Sequence, residues 1–194
     1  MKKSEELSFP TVEQINAALQ RENYRHRYAR VLRSTVYLLV TVAAIAVLIA
    51  TLWMPVLRIY GDSMTPTLYD GNIVISVKTS DFQPGDVVAF YYNNKILVKR
   101  VIATASEWVN INESGQVFVN DVALKEPYIQ EKALGECNIE MPYQVPESRI
   151  FVMGDHRSVS VDSRSTSIGC IAEEHIVGKL VFCIWPLNSF GEIG

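Results

Sequence analysis

Residues 34–57 read STVYLLVTVAAIAVLIATLWMPVL, a run with no charge between Arg33 and Arg58. A helix needs about 20 apolar residues to cross a bilayer core of roughly 30 Å. The run meets that length, and Trp53 near its far end is a residue type that favours the membrane interface. Buried core helices seldom stay apolar on every side for so long. A cleaved signal sequence has an apolar region of about 7–15 residues behind a short basic start. Here the run is longer, and residues 1–33 precede it. The sequence predicts an uncleaved transmembrane anchor over 34–57, a leader over 1–33, and a further domain over 58–194.

Charge placement orients the anchor. Arg21, Arg25, Arg27, Arg30 and Arg33 lie just before it, and after Arg58 the next basic residue is Lys78. Basic flanks stay in the cytoplasm, so residues 58–194 are expected outside it. The leader over 11–33 has helical composition without Gly or Pro. The net charge of −3 gives no reason to expect nucleic acid. Cys137, Cys170 and Cys183 are too few for a disulfide framework, although one pair can bridge in an oxidising compartment. His26, His156 and His175 are scattered, and neither CxxC nor HExxH occurs. No metal site and no cofactor are expected.

Beyond Arg58 the pattern becomes that of strands. Residues 72–78 alternate apolar and polar, Gln83-Pro84-Gly85-Asp86 turns into 86–92, and Asn93-Asn94 turns into 96–103. Shorter strand signals follow at 107–111, 116–120, 149–153 and 176–185. Residues 131–147, with Gly, two prolines and mixed charge, read as a loop within a variable insertion near 109–146. Many short strands and no strong helix predict a mainly β domain, barrel or sandwich-like.

Three segments differ from ordinary β scaffolding. In Gly61-Asp62-Ser63-Met64-Thr65-Pro66-Thr67-Leu68, a serine sits in a Gly- and Pro-containing stretch, and such a turn can expose a hydroxyl and nearby N–H groups. Most serines in such turns only cap or bend the chain. In Ile96-Leu97-Val98-Lys99-Arg100-Val101-Ile102, alternation puts Leu97, Lys99 and Val101 on one face and Val98, Arg100 and Ile102 on the other. An isolated strand lysine usually guards an edge. Desolvated, it becomes a base: a free lysine titrates near 10.4, and burial disfavours its charged form. In Gly154-Asp155-His156-Arg157-Ser158-Val159-Ser160-Val161-Asp162-Ser163-Arg164, acids, arginines and serines crowd together. That is either a solvated loop or a fixed hydrogen-bond network.

In this order, behind one anchor, the three segments resemble bacterial type I signal peptidases. The resemblance covers the anchor and nearly all of 59–185. It implies a signal-peptidase-like β-fold, with Ser63 as nucleophile and Lys99 as general base. It implies that Ser160 bonds and orients the lysine, that Asp162 and Arg164 support the network, and that Asp155 pairs with Arg100. The Ser63 N–H is one candidate oxyanion donor. Some members carry a serine two residues before the nucleophile, where this chain has Gly61. His156 is a second departure, at a position where Asn is common; it reads as a loop variant. Ile59, Gly61, Met64, Leu68, Leu97 and Val98 match positions that line substrate pockets.

The implied substrates are signal peptides of exported preproteins, held by strand addition at the outer face of the cell membrane. Membrane lipid and the export machinery are the further expected partners. The alternatives are a specialised Ser–Lys peptidase for pilin or one substrate, and an inactive membrane-tethered secretion scaffold.

Overall fold

The structure, a computed structural model, describes residues 11–193. The first ten residues of the expected leader lie outside it. The chain divides into two compact units, one ending at Ile49 and the other beginning at Ala50.

A single α-helix, α1, runs over Val12–Trp53 without interruption, so most of the leader and the apolar run form one rod. It begins at a capping box, with the Gln14 N–H donating to the Thr11 hydroxyl and the Thr11 N–H donating to the Gln14 side chain. None of its residues is buried within the protein. Its 42 residues extend about 63 Å at 1.5 Å per residue, twice a bilayer core. It is long and apolar enough to cross a membrane. Inside the apolar stretch the Thr35 and Thr41 hydroxyls donate to the carbonyls of Val31 and Tyr37, at 3.0 and 2.8 Å. Their polar atoms are thereby satisfied without water. The helix stops before Pro55, which lacks the N–H to continue it. The expected span reaches 57, but Val56–Arg58 is already a strand, β1.

The second unit is mainly β. Its strands are β2 Ile73–Val77, β3 Val87–Tyr92, β4 Lys95–Ala103, β5 Trp108–Ile111, β6 Val117–Val119, β7 Val122–Ala123, β8 Tyr143–Gln144, β9 Arg149–Met153, β10 Ile171–Ala172, β11 Ile176–Trp185 and β12 Gly191–Glu192. The larger sheet has the order β1-β2-β11-β3-β4-β9-β10, with β12 on β11. The smaller one has the order β7-β6-β5-β8 and is drawn from residues 108–144. Alternation decides which faces are buried. On one face of the larger sheet, Val74, Val87, Ala89 and Leu180 pack under Ile59, Met64 and Leu68, so residues 59–68 fold over that face. The other face buries Val88, Phe90, Val101, Val152 and Ile171. A third cluster joins Ile102, Phe151 and Met153 to Val109, Ile111 and Val117 of the smaller sheet.

Register in β4 positions the site. Asn93 and Asn94 both have positive φ, the two-residue turn that matches strand twist, and Tyr92 pairs with Lys95. Residues Lys95–Arg100 pair with β3, but β9 joins the other edge only from Arg100 onward. Among the described residues, no strand covers that edge from Lys95 to Lys99.

Candidate active site

Ser63 sits in the turn that follows Gly61, whose φ of +82° a glycine adopts without strain. Lys99 is the last β4 residue before the strand is covered on both edges. Their side chains meet: Lys99 Nζ lies 2.7 Å from Ser63 Oγ. Lys99 is only 4% exposed, and among the described residues no carboxylate comes within salt-bridge distance of it. Burial is the largest influence on its titration and lowers it, Asp162 opposes, Arg164 lowers it further, and Asp155 opposes. The result is a pKa of about 8 instead of 10.5. At neutral pH about one such lysine in ten is then a free amine.

The third segment forms the wall beside Ser63. The His156 N–H donates to the Ser63 carbonyl at 3.1 Å, and Thr65 Oγ1 lies 3.0 Å from His156 Nδ1. Gly154 is required here. A Cβ on it would stand 2.3 Å from Ser160 Oγ and 2.5 Å from the Ser63 carbonyl oxygen. The buried Ser160 hydroxyl donates to Asp162 Oδ2 at 2.7 Å. This departs from the resemblance, which gives that hydroxyl a bond to Lys99. The same carboxylate accepts from the Gly154 N–H and from two nitrogens of the Arg164 side chain. Arg164 also donates to the carbonyls of Arg157, Ser160 and Leu134, tying the loop to the insertion.

Arg100 points away from Lys99. It meets Asp155 through two parallel bonds of 2.9 and 2.8 Å, donates to the Gly85 carbonyl, and stacks 4.0 Å over the Tyr128 ring. Thr67 donates its hydroxyl to the same Asp155. Arg157 is fully buried and paired with Glu126.

An open groove of about 630 Å³ leads to the dyad. Residues 56–61, Ser63 and Met64 form one side, and 95–99 the other. Ile59, Gly61, Met64, Leu97 and Val98 all line it. Leu68 does not: it is buried in the core under the Ser63 turn. The Ser63 N–H has no hydrogen-bond partner among the described residues. All three cysteines are free thiols, and burial pushes that of Cys170 up to about 11.

The sequence reading missed Glu126, Tyr128 and the Leu134 carbonyl, because they lie in a segment with no strong pattern. It also gave no role to Thr65 and Thr67, although both stand inside the Ser63 segment.

The model of the family "Signal peptidase, peptidase S26" matches residues 32–185. The chain belongs to the signal peptidase family. Two named relatives agree. Signal peptidase IB of Staphylococcus aureus is 36% identical over 68% of this chain and 78% of its own length. Thylakoidal processing peptidase 1 of Arabidopsis thaliana is 33% identical over 67% of this chain. There the chain spans 42% of the relative's length. A signal peptidase I of Enterococcus faecalis superposes with a TM-score of 0.43 at 28% identity, over 52% of this chain and 97% of that one. This signal peptidase is a serine hydrolase that removes signal peptides. Its apolar helix fits membrane anchoring. Neither the pilin-processing nor the scaffold alternative is favoured by these relatives.

Proposed function

We propose that Ser63 is the nucleophile and Lys99 the general base of this signal peptidase. The observation that carries the reading is the 2.7 Å contact between a buried amine, lowered to about 8, and a serine hydroxyl at the end of an open groove. A lysine in water cannot serve as a base near neutral pH, whereas this one can.

Neutral Lys99 takes the Ser63 proton as Oγ attacks the scissile carbonyl carbon. The carbonyl π electrons move onto oxygen, and the unpartnered Ser63 N–H is in place to stabilise that charge. Collapse breaks the C–N bond, and the Lys99 ammonium returns its proton to the departing amine. An ester to Ser63 remains. Lys99 then takes a proton from water, the hydroxide attacks the ester carbon, and the second collapse restores the serine hydroxyl with the proton held by Lys99. The Asp162 network keeps the Gly154–Ser160 wall against Ser63 so that the turn holds its geometry.

The uncovered edge of β4 supports binding by strand addition. The end of the signal peptide lies along residues 95–99, and alternate side chains enter the apolar part of the groove. Five arginines before the apolar run support a cytoplasmic leader and a catalytic unit at the outer face of the membrane, where exported preproteins, lipid and the export machinery meet it.

The test is preprotein cleavage by the full chain in detergent. Ser63→Ala and Lys99→Ala should each lower kcat/KM at least a thousandfold with unfolding unchanged or improved. Cleavage at the wild-type rate by either variant would overturn the assignment.

A further inference from the structure

The charged side chains that line the groove, apart from Lys99, are of one sign. Of the residues that line it, Arg58 and Lys95 are exposed cations, and none is an acid. Asp62 and Asp70, the acids of the neighbouring segment, do not line it. Lys95 has no carboxylate within salt-bridge distance among the described residues. Arg58 lies over the Tyr60 ring and also faces a separate hollow that includes Asp70, so its charge is shared. Lys95 is fixed where it stands, because it closes the tight Asn93-Asn94 turn and pairs with Tyr92.

Distance along the strand translates that charge into a substrate position. Four residues separate Lys95 from Lys99 on β4, about 13 Å at 3.3 Å per residue. A peptide added to this edge, with its scissile bond at the dyad, passes Lys95 about four to six residues before the cut. We infer that Lys95, assisted by Arg58, is a specificity residue that favours preproteins with an acidic side chain at that distance before the cleavage site. The inference rests on the reading that the groove holds the signal peptide. Both cations are solvent-accessible, so the preference is modest and sensitive to salt.

The experiment uses three preproteins that differ only five residues before the cut, carrying Asp, Asn or Lys. Full-length enzyme is assayed in nonionic detergent without added lipid, which removes lipid phosphate as a competing source of negative charge. The readout is the kcat/KM ratio of the Asp to the Lys substrate, compared within each enzyme variant. The wild type should favour Asp about three- to tenfold at low ionic strength, and the ratio should fall towards one at about 0.5 M salt. Lys95→Glu should invert it, and Arg58→Gln should shrink it. A wild-type ratio near one, or one that Lys95→Glu leaves unchanged, overturns the inference. The Asn substrate separates the two levels. If it is cleaved while the ratio is flat, only the charge preference fails. If it is not cleaved at all, the groove reading fails with it.

Discussion

Lys99 and Arg100 are adjacent cations on one strand, and both are buried, at 4% and 1% exposure. Their surroundings are opposite. Arg100 is given a carboxylate with two parallel bonds, a carbonyl and an aromatic face. Lys99 is given a serine hydroxyl, and its attraction to Asp162 is weaker than its loss of hydration. Pairing lets a guanidinium stay charged in a core. Withholding a partner pushes an ammonium towards its neutral form. Strand alternation makes both outcomes available within two residues, because successive side chains leave on opposite faces. One face therefore fastens the strand to the 154–164 loop, and the other supplies a base.

The strongest way to break this contrast is to remove the partnered cation. Arg100→Met leaves Asp155 buried and without its two strongest donors. It should cost about 3–5 kcal/mol, read by denaturant unfolding of the full chain in detergent. Asp155→Leu should cost a similar amount. Because the penalty is the orphaned charge, the double variant should lose clearly less than the sum of the two. Additive losses would mean that the pair is not the unit that Arg100 serves.

The unpaired cation should behave in the opposite way. Lys99→Met replaces a costly buried ammonium by an apolar side chain of similar length. With the folded pKa near 8 against 10.5, the charged form carries a penalty of about 3 kcal/mol. Below pH 8 lysine is charged in both the folded and unfolded states, and the whole penalty weakens folding. Between pH 8 and 10.5 the folded state releases its proton first, so wild-type stability rises with pH. Lys99→Met should therefore be more stable than the wild type by about 3 kcal/mol at pH 7, and the gap should close by about pH 10.5. An inactive variant that is also less stable at pH 7 would contradict the desolvation account.

Most of this was legible in the sequence for physical reasons that can be named. The apolar run, the strands at 72–78, 86–92, 96–103 and 176–185, and the Lys99/Arg100 alternation follow from periodicity, which burial enforces. The end of the helix was placed late because Pro55-Val56-Leu57 is apolar; composition alone does not separate a helix end from a buried strand start. The contribution of the insertion was invisible. Glu126, Tyr128 and the Leu134 carbonyl reach Arg157, Arg100 and Arg164 from 28 to 31 residues away, and no local pattern marks them. The resemblance implies a bond between Ser160 and the lysine, and the bond the structure shows is from the Ser160 hydroxyl to Asp162. Leu68 was given to the groove, yet it fills the core beneath the turn. Both concern side chains whose direction depends on tertiary packing, which a motif does not encode.

The smallest predicted effect tests the same contrast without any substitution. If neutral Lys99 is the base, kcat/KM on a preprotein should follow its deprotonated fraction. With a pKa of about 8, that fraction is about one-tenth at pH 7 and about nine-tenths at pH 9. Activity should rise about tenfold over this interval, equivalent to about 1.4 kcal/mol, and then level off. An ordinary lysine would keep gaining activity through pH 10, so the plateau is the discriminating feature. A limb centred well above 9 would show that burial does not prepare Lys99 for its task. One centred near 8 would assign the ionisation to the only buried lysine that touches a hydroxyl among the described residues.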